Sequence, residues 1–179
     1  LLIGYHKPSI RHADSAVFDA VQDILASGRT SRFYRSLVQE KKLAVAAGGF
    51  PGFPGDKYPN LFLFFSVAAA GKTNEENEKA MLAEIDRLRT ELVSEEELAR
   101  VKARVRAQLV RQLSSNSGLA GQLASYQVLT GDWRNLFRRL EAIDKVTRED
   151  IQRIAQTYFT ERNRTIGYLV PETQAAAKN

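Results

Sequence analysis

The 179-residue chain contains no cysteine, and this absence removes three kinds of chemistry at once. Without cysteine there are no disulfide bonds, no thiolate nucleophile and no thiolate metal ligand. Histidine is nearly as scarce, because the chain has only His6 and His12, on either side of Pro8 in a segment that predicts a strand and then a loop. They lack the one-turn helical spacing of a zinc-binding pair, so solvent-facing or hydrogen-bonded histidines are the favoured interpretation.

Long hydrophobic runs are also missing. The longest, at residues 61–70, has the length of a strand and is flanked by turn residues, so it is too short to cross a bilayer. The composition, 44% hydrophobic and 26% charged, is that of one ordinary folded domain, which we expect to be soluble. The chain starts at Leu1 without a methionine, which indicates an excised piece, so bacterial periplasm and cytoplasm both stay open as locations.

Turn and capping signals divide the first half of the chain into elements. Residues 1–5 predict a strand, Asp14 is placed as the N-cap of a helix that stops at Gly28, and a second helix is expected over residues 30–41. Residues 43–50 and 61–70 predict two strands, because the prolines and glycines between them cannot lie inside a helix. These segments favour a hairpin with a long loop.

Helices dominate the second half. Three capping boxes place a hydroxyl three residues before a carboxylate: Thr73 with Glu76, Ser94 with Glu97, and Thr147 with Asp150. Another helix carries Leu119, Leu123 and Tyr126 at helical spacing, residues 166–170 predict a last strand, and residues 172–179 are expected to form a frayed tail. The order of elements favours an α+β fold over alternating βαβ units.

Three segments together resemble one known family. They are Leu25-x-x-Gly28-x-x-Ser31-Arg32-Phe33-Tyr34-x-x-Leu37, Ser94-Glu95-Glu96-Glu97-Leu98 and Val146-Thr147-x-Glu149-Asp150-Ile151. In this order they are similar to segments of the C-terminal, non-catalytic-type domain of the M16 (insulinase, pitrilysin-like) zinc metallopeptidases. The resemblance spans residues 1–171 as a single domain, and it implies a mainly antiparallel sheet packed against a layer of helices. It also implies structural roles for Gly28, Ser31, Arg32 and Tyr34.

The resemblance further implies a function shared with a partner. The expected partner is an M16 catalytic-type domain in the same chain or in another subunit of a homo- or hetero-dimer, and the two domains enclose a chamber for peptide substrates. The catalytic half of the family carries H-x-x-E-H, whose histidines bind zinc and whose glutamate activates water. The present chain has no such motif. We therefore expect it to have no catalytic residue and no metal ligand, with zinc held by the partner.

Two valines stand where many active members have polar groups. In those members the non-catalytic half supplies an arginine and a tyrosine, spaced R-x6-Y, that reach the substrate carbonyl. Val38 and Val45 occupy the matching positions here, and their side chains donate no hydrogen bond. Either a separate subunit supplies these groups to an active assembly, which we prefer, or the assembly is a catalytically degenerate scaffold.

Phe50 and Phe53 lie in a repeated Gly-Phe-Pro pattern and are candidates for contact with a peptide substrate. Packing of both rings back onto the sheet is the equally favoured alternative. The net charge of +5 raises nucleic-acid binding as a third hypothesis. Basic residues are spread around one helix opposite its apolar stripe, which is typical of a solvated face or of a chamber wall that favours acidic peptides: Arg100, Lys102, Arg104, Arg106 and Arg111. We therefore expect no nucleic-acid partner.

Overall fold

The computed structural model describes residues 1–170 and shows a four-stranded antiparallel sheet beside a layer of helices. The strands are β1 (Leu2–Lys7), β2 (Ala44–Phe53), β3 (Asn60–Ala68) and β4 (Arg164–Gly167), in the spatial order β2-β3-β1-β4. The helices are α1 (Ser15–Ala26), a π-helix (Tyr34–Glu40), α2 (Asn74–Thr90), α3 (Glu95–Leu113), α4 (Asn116–Thr130), α5 (Asn135–Lys145) and α6 (Arg148–Tyr158). The predicted α+β class is confirmed, whereas the predicted tail at residues 172–179 lies outside the described residues.

One face of the sheet forms the core. Side chains alternate along a strand, so Phe62 and Phe64 of β3 point to the same side, and both are fully buried. The ring of Phe64 packs edge-on against Phe33, with centroids 5.2 Å apart, and lies 5.7 Å from the ring of Phe159 after α6. Burial of each large ring stabilises the fold by roughly 1.5–3 kcal/mol. The helices therefore dock on this face of the sheet.

The strand β2 runs further than predicted. It continues through Pro51 to Phe53 instead of ending at Phe50, with an irregular register between Pro51 and Phe53. Proline has no N–H to give to a ladder, and an edge strand tolerates it because one side of its backbone has no neighbour. Since β2 is at the edge of the sheet, it accommodates the proline.

The capping signals are correct in two cases of three. The boxes at Thr73 and Thr147 form in full. At α3, Ser94 accepts a hydrogen bond from the Glu97 N–H, but the Glu97 carboxylate does not return to the N-cap. It instead accepts two hydrogen bonds from Arg32, at 3.1 and 2.8 Å. This bidentate ion pair, in which both side chains are largely buried, ties the segment before the π-helix to the start of α3.

Four other features differ from the prediction. The second helix was expected from residue 30, but Gly28 and Ser31 form a turn and the π-helix begins at Tyr34. Asp14 occupies the N-cap position of α1 without a side-chain cap bond, because its carboxylate pairs with Arg153 at 2.8 Å. Helix α5 was not predicted. The last strand ends at Gly167 and not at residue 170, because its partner β1 starts at Leu2, opposite Gly167.

Gly49 is placed where no side chain fits. A Cβ at this position would lie 2.5 Å from the Phe64 ring and 2.8 Å from the Leu63 carbonyl oxygen. We expect Gly49→Ala to lower the free energy of unfolding by about 1–3 kcal/mol in urea titrations, because the core must shift to admit the methyl group. Gly55→Ala is the matched control, since its Cβ would meet open space. Equal stability of the two variants would contradict this account of the packing.

The Arg32–Glu97 pair should contribute measurably to stability. We expect Arg32→Leu to lower the free energy of unfolding by about 2–3 kcal/mol, because it leaves the largely buried Glu97 carboxylate without its partner. The control is Arg89→Leu, which removes an arginine from a well-exposed pair with Asp86 and should cost at most about 1 kcal/mol. Chemical denaturation measures both variants, and a cost for Arg32→Leu no larger than that of the control would refute the anchoring role.

Candidate functional site

The face of the sheet opposite the core carries a set of apolar side chains without helices over them. Residues directly opposite one another on antiparallel strands share a face. Phe65 is opposite Leu2, Leu63 is opposite Phe50, and Leu61 is opposite Phe53. We call this set the open face, and its members are Leu2, Phe50, Phe53, Leu61, Leu63, Phe65 and Val67.

The open face is exposed to an unusual degree for such apolar residues. Leu2, Phe50, Phe53 and Val67 have exposed fractions of 43%, 40%, 46% and 51%, and the other three members are half-buried. Scattered exposed apolar residues are normal, but a contiguous patch on one sheet indicates a surface that binds something. The geometry suits an extended chain or a second apolar layer.

The two candidate substrate contacts lie at one end of this face. The rings of Phe50 and Phe53 meet edge-on, with centroids 6.4 Å apart, and the bulged end of β2 holds them next to each other. Neither ring is buried, so both can be reached from solvent. Their contact with a peptide stays a prediction.

The two valines are not equivalent in the structure. Val38 is half-buried in the π-helix, and Val45 is 63% exposed at the irregular start of β2. Neither side chain has a polar atom, so neither can polarise a carbonyl group at its position. A side-chain hydrogen bond from this chain to a substrate carbonyl would have to come from another residue.

The residues of the Gly-x-x-Ser-Arg-x-Tyr motif make local structural contacts. Gly28 has a φ of +74°, a left-handed conformation that ends the turn after α1 without strain. The Ser31 hydroxyl donates to the Gly28 carbonyl oxygen at 2.8 Å and accepts from the Tyr34 N–H at 3.4 Å. With Arg32 bound to Glu97, the motif fixes where the chain leaves α1 and approaches α3.

The two histidines lie in different elements and have different surroundings. His6 is exposed on β1, and His12 lies before α1, where its Nδ1 accepts a hydrogen bond from the Asp14 N–H at 3.2 Å. Within residues 1–170 there is no group of three or more His, Asp or Glu side chains that could hold a metal ion. The donor set of the described chain therefore does not fit a zinc site.

A partly buried network of charged and polar groups around α1 and α5 was missed by the sequence reasoning. Arg139 of α5 pairs with Asp19 of α1 at 2.6 Å and donates to the Tyr126 hydroxyl at 2.6 Å. Nearby, the ammonium of the buried Lys7 lies 3.7 Å from Asp56. All of these residues except Tyr126 line a cavity of 220 Å³, together with Phe50 and Pro51. No sequence motif marks the network, because its members come from five separate segments.

Burial decides the protonation behaviour of this network. It raises the pKa of Asp19, although Arg139 acts in the opposite direction, and it lowers the pKa of Lys7 against the pull of Asp56. A raised pKa means that the folded state binds the Asp19 proton more tightly than the unfolded chain does. The contribution of Asp19 to stability therefore falls as the pH rises above about 3.9, its unfolded value.

The basic residues of α3 are largely committed to partners inside the chain. Arg100 pairs with Glu96, Arg104 with Asp23, and Arg106 with Asp144. Lys102 donates to the Asp144 carbonyl oxygen at 2.7 Å. A nucleic-acid interface needs basic groups free to meet phosphates, so this helix is a poor candidate for one. As for membranes, none of the helices within residues 1–170 has the length and apolarity needed to span a bilayer.

Comparisons with known proteins agree with this picture. A zinc protease of Helicobacter pylori, PqqE, is 28% identical over 174 residues, which cover 94% of this chain and 37% of that protein. The chain thus spans little more than a third of the length of this relative. Among solved structures, a protease from Helicobacter pylori matches with a TM-score of 0.84 at 26% identity, over 91% of this chain and 38% of that one.

A second structure matches over nearly its whole length. It is the inactive peptidase domain of a proposed zinc protease from Bordetella parapertussis, with a TM-score of 0.84 and 27% identity over 95% of this chain and 91% of that chain. The model of the peptidase M16 inactive domain matches residues 1–105, more than half of the present chain. The resemblance predicted from the motifs is confirmed, and the chain belongs to the family of M16 peptidase inactive domains.

Proposed function

We propose that this chain is the non-catalytic half of an M16-type zinc metallopeptidase, and that its open face forms one wall of a peptide-binding chamber. The other half is a domain that carries H-x-x-E-H, in the same chain or in another subunit, and hydrolyses the peptide bond. The observation that carries the proposal is the one-sided sheet, whose helix-free side is lined by Leu2, Phe65 and their apolar neighbours.

The open face is suited to binding an unfolded peptide. An extended peptide exposes apolar side chains on alternate positions, and a sheet surface with the same spacing can receive them. Phe50 and Phe53 add large aromatic area at low conformational cost, because each ring turns about only two side-chain bonds. A folded protein buries such side chains in its own core, so this surface favours unfolded substrates.

The proposed roles of the two halves follow from the chemical groups that this chain lacks. Its described residues do not provide zinc ligands, and Val38 and Val45 have no donor for a substrate carbonyl. The role left to this half is enclosure and substrate contact, with the metal and the general base supplied by the partner.

A second candidate is a catalytically degenerate scaffold. The observation in its favour is the same pair of valines, because an active assembly must obtain its carbonyl-polarising groups elsewhere. The two candidates differ in one measurable property, namely whether the assembled protein cleaves peptides.

The isolated chain should bind unfolded apolar peptides through the open face. Fluorescence anisotropy of a labelled, unstructured peptide rich in leucine and phenylalanine should show binding that the double variant Phe50→Ser, Phe53→Ser weakens by about tenfold, since two large side chains lose their apolar contacts. The matched control is Val110→Ser, Val128→Ser, which removes two well-exposed apolar side chains from α3 and α4. If the two double variants bind the peptide equally well, the open face is not the contact surface.

Catalysis should appear only after assembly. With zinc added, the isolated chain should not cleave a fluorogenic peptide, because it lacks the ligand set and the general base. Addition of the H-x-x-E-H domain from the same genome, or use of a natural fusion of the two, should give zinc-dependent cleavage. Zinc-dependent cleavage by this chain alone would overturn the proposal, and an assembled but inactive complex would favour the scaffold.

A further inference from the structure

A second cavity lies in the helix layer, away from the open face. It has a volume of 260 Å³ and lies where the π-helix meets α2 and the start of α3. Its lining includes Arg32, Arg35, Ser36, Glu40 and Arg100. In all, four arginines and three glutamates line it, so its walls carry a net positive charge.

Two polar groups at this cavity have no partner in the described chain. The bidentate bond to Glu97 uses the Nε and Nη2 atoms of Arg32, and its buried Nη1 makes no hydrogen bond. The Ser36 hydroxyl is also without a partner, and the residue is only 4% exposed. Buried donors left in this state cost free energy, so their persistence calls for an acceptor that completes them.

The positions of these groups suit one acceptor for both. Arg32 lies just before the π-helix and Ser36 lies inside it, and both residues line this one cavity. Between them in sequence, Arg35 is exposed, lines the same cavity, and forms no ion pair with any residue from 1 to 170. The other cations are already engaged, since Arg87 pairs with Glu84 and Arg100 with Glu96.

We propose that this cavity binds a small oxyanion, with Arg32 Nη1 and the Ser36 hydroxyl as buried donors and Arg35 as the charged group that closes over it. Guanidinium groups and hydroxyls together are the donors that phosphate and carboxylate groups prefer. The two donors are buried, so neighbouring side chains must shift for the anion to reach them, and the exposed Arg35 at the same cavity then supplies a positive charge to hold it. The site is independent of the open face and of the proposed peptidase role.

Two anions serve as probes: inorganic phosphate, and acetate as a representative carboxylate. Each is titrated into the protein, with chloride as the control salt, at constant ionic strength. Binding to the folded state raises Tm with ligand concentration, and calorimetric titration gives the affinity. We expect one of the two anions to raise Tm above the chloride value, and the anion that does so identifies the chemistry. If neither exceeds chloride, the proposal is wrong.

Variants locate the site. Arg35→Gln and Ser36→Ala should each weaken binding by about tenfold, which corresponds to the loss of one strong hydrogen bond. Arg29→Gln is the matched control, because Arg29 is exposed on the same segment and does not line the cavity. Glu40→Gln should tighten binding severalfold, since it removes a negative charge from the cavity wall. Unchanged affinity in Arg35→Gln and Ser36→Ala, or weaker binding in Glu40→Gln, would overturn the assignment.

Discussion

The sheet of this domain is buried on one side only, and the rest of the structure depends on that asymmetry. On β3 the alternation is strict: Phe62 and Phe64 are fully buried against helices, while Leu61, Leu63 and Phe65 point the other way. A slip of one residue in register would exchange the two sets. Tight packing of the aromatic core against Phe33 and Phe159 therefore also fixes which residues are presented on the open face.

The Arg32–Glu97 pair shows how one tertiary contact overrides a local preference. Ser94 and Glu97 have the spacing of a capping box, and Ser94 does cap α3. The Glu97 carboxylate oxygens cannot, however, both accept from the N-cap N–H and form a bidentate pair with Arg32. The pair with Arg32 forms because its two charge-assisted hydrogen bonds are stronger. The same choice leaves the third nitrogen of Arg32 without a partner in the described chain, so a structural anchor and a candidate anion site share one side chain.

Membership of the inactive-domain family and the geometry of the chain lead to the same division of function. The hydrophobic surface is on the sheet, one polar cavity lies between the sheet and α1 and another in the helix layer, and the described residues do not gather a set of metal ligands. A surface of this kind stabilises contacts with apolar chains but does not activate water. In the proposed two-domain enzyme, this half would contribute shape and affinity, and the other half would carry out the chemistry.

The sequence by itself determined the elements that depend on local signals. Turn residues and capping pairs placed β1, α1, the hairpin and the starts of α2, α3 and α6, because these signals act within a few residues of each other. Helix α5 was missed although Leu136, Leu140 and Ile143 have helical spacing, since the stripe is short and the arginines around it are polar. The motifs also identified the family, because several of its characteristic segments occur here in the same order along the chain.

Only the tertiary structure decided the candidate sites. The strand pairings put Phe50 opposite Leu63 and Phe53 opposite Leu61, which joined two ambiguous phenylalanines to an apolar surface. The network of Lys7, Asp19, Asp56, Tyr126 and Arg139 likewise arises from segments far apart in sequence, and so does the cavity that Arg32 and Ser36 line with Glu84 and Glu97. Local patterns set which face of an element is apolar. The packing of elements against one another decides which polar atoms are left without a partner, and this packing depends on contacts between residues that are distant in sequence.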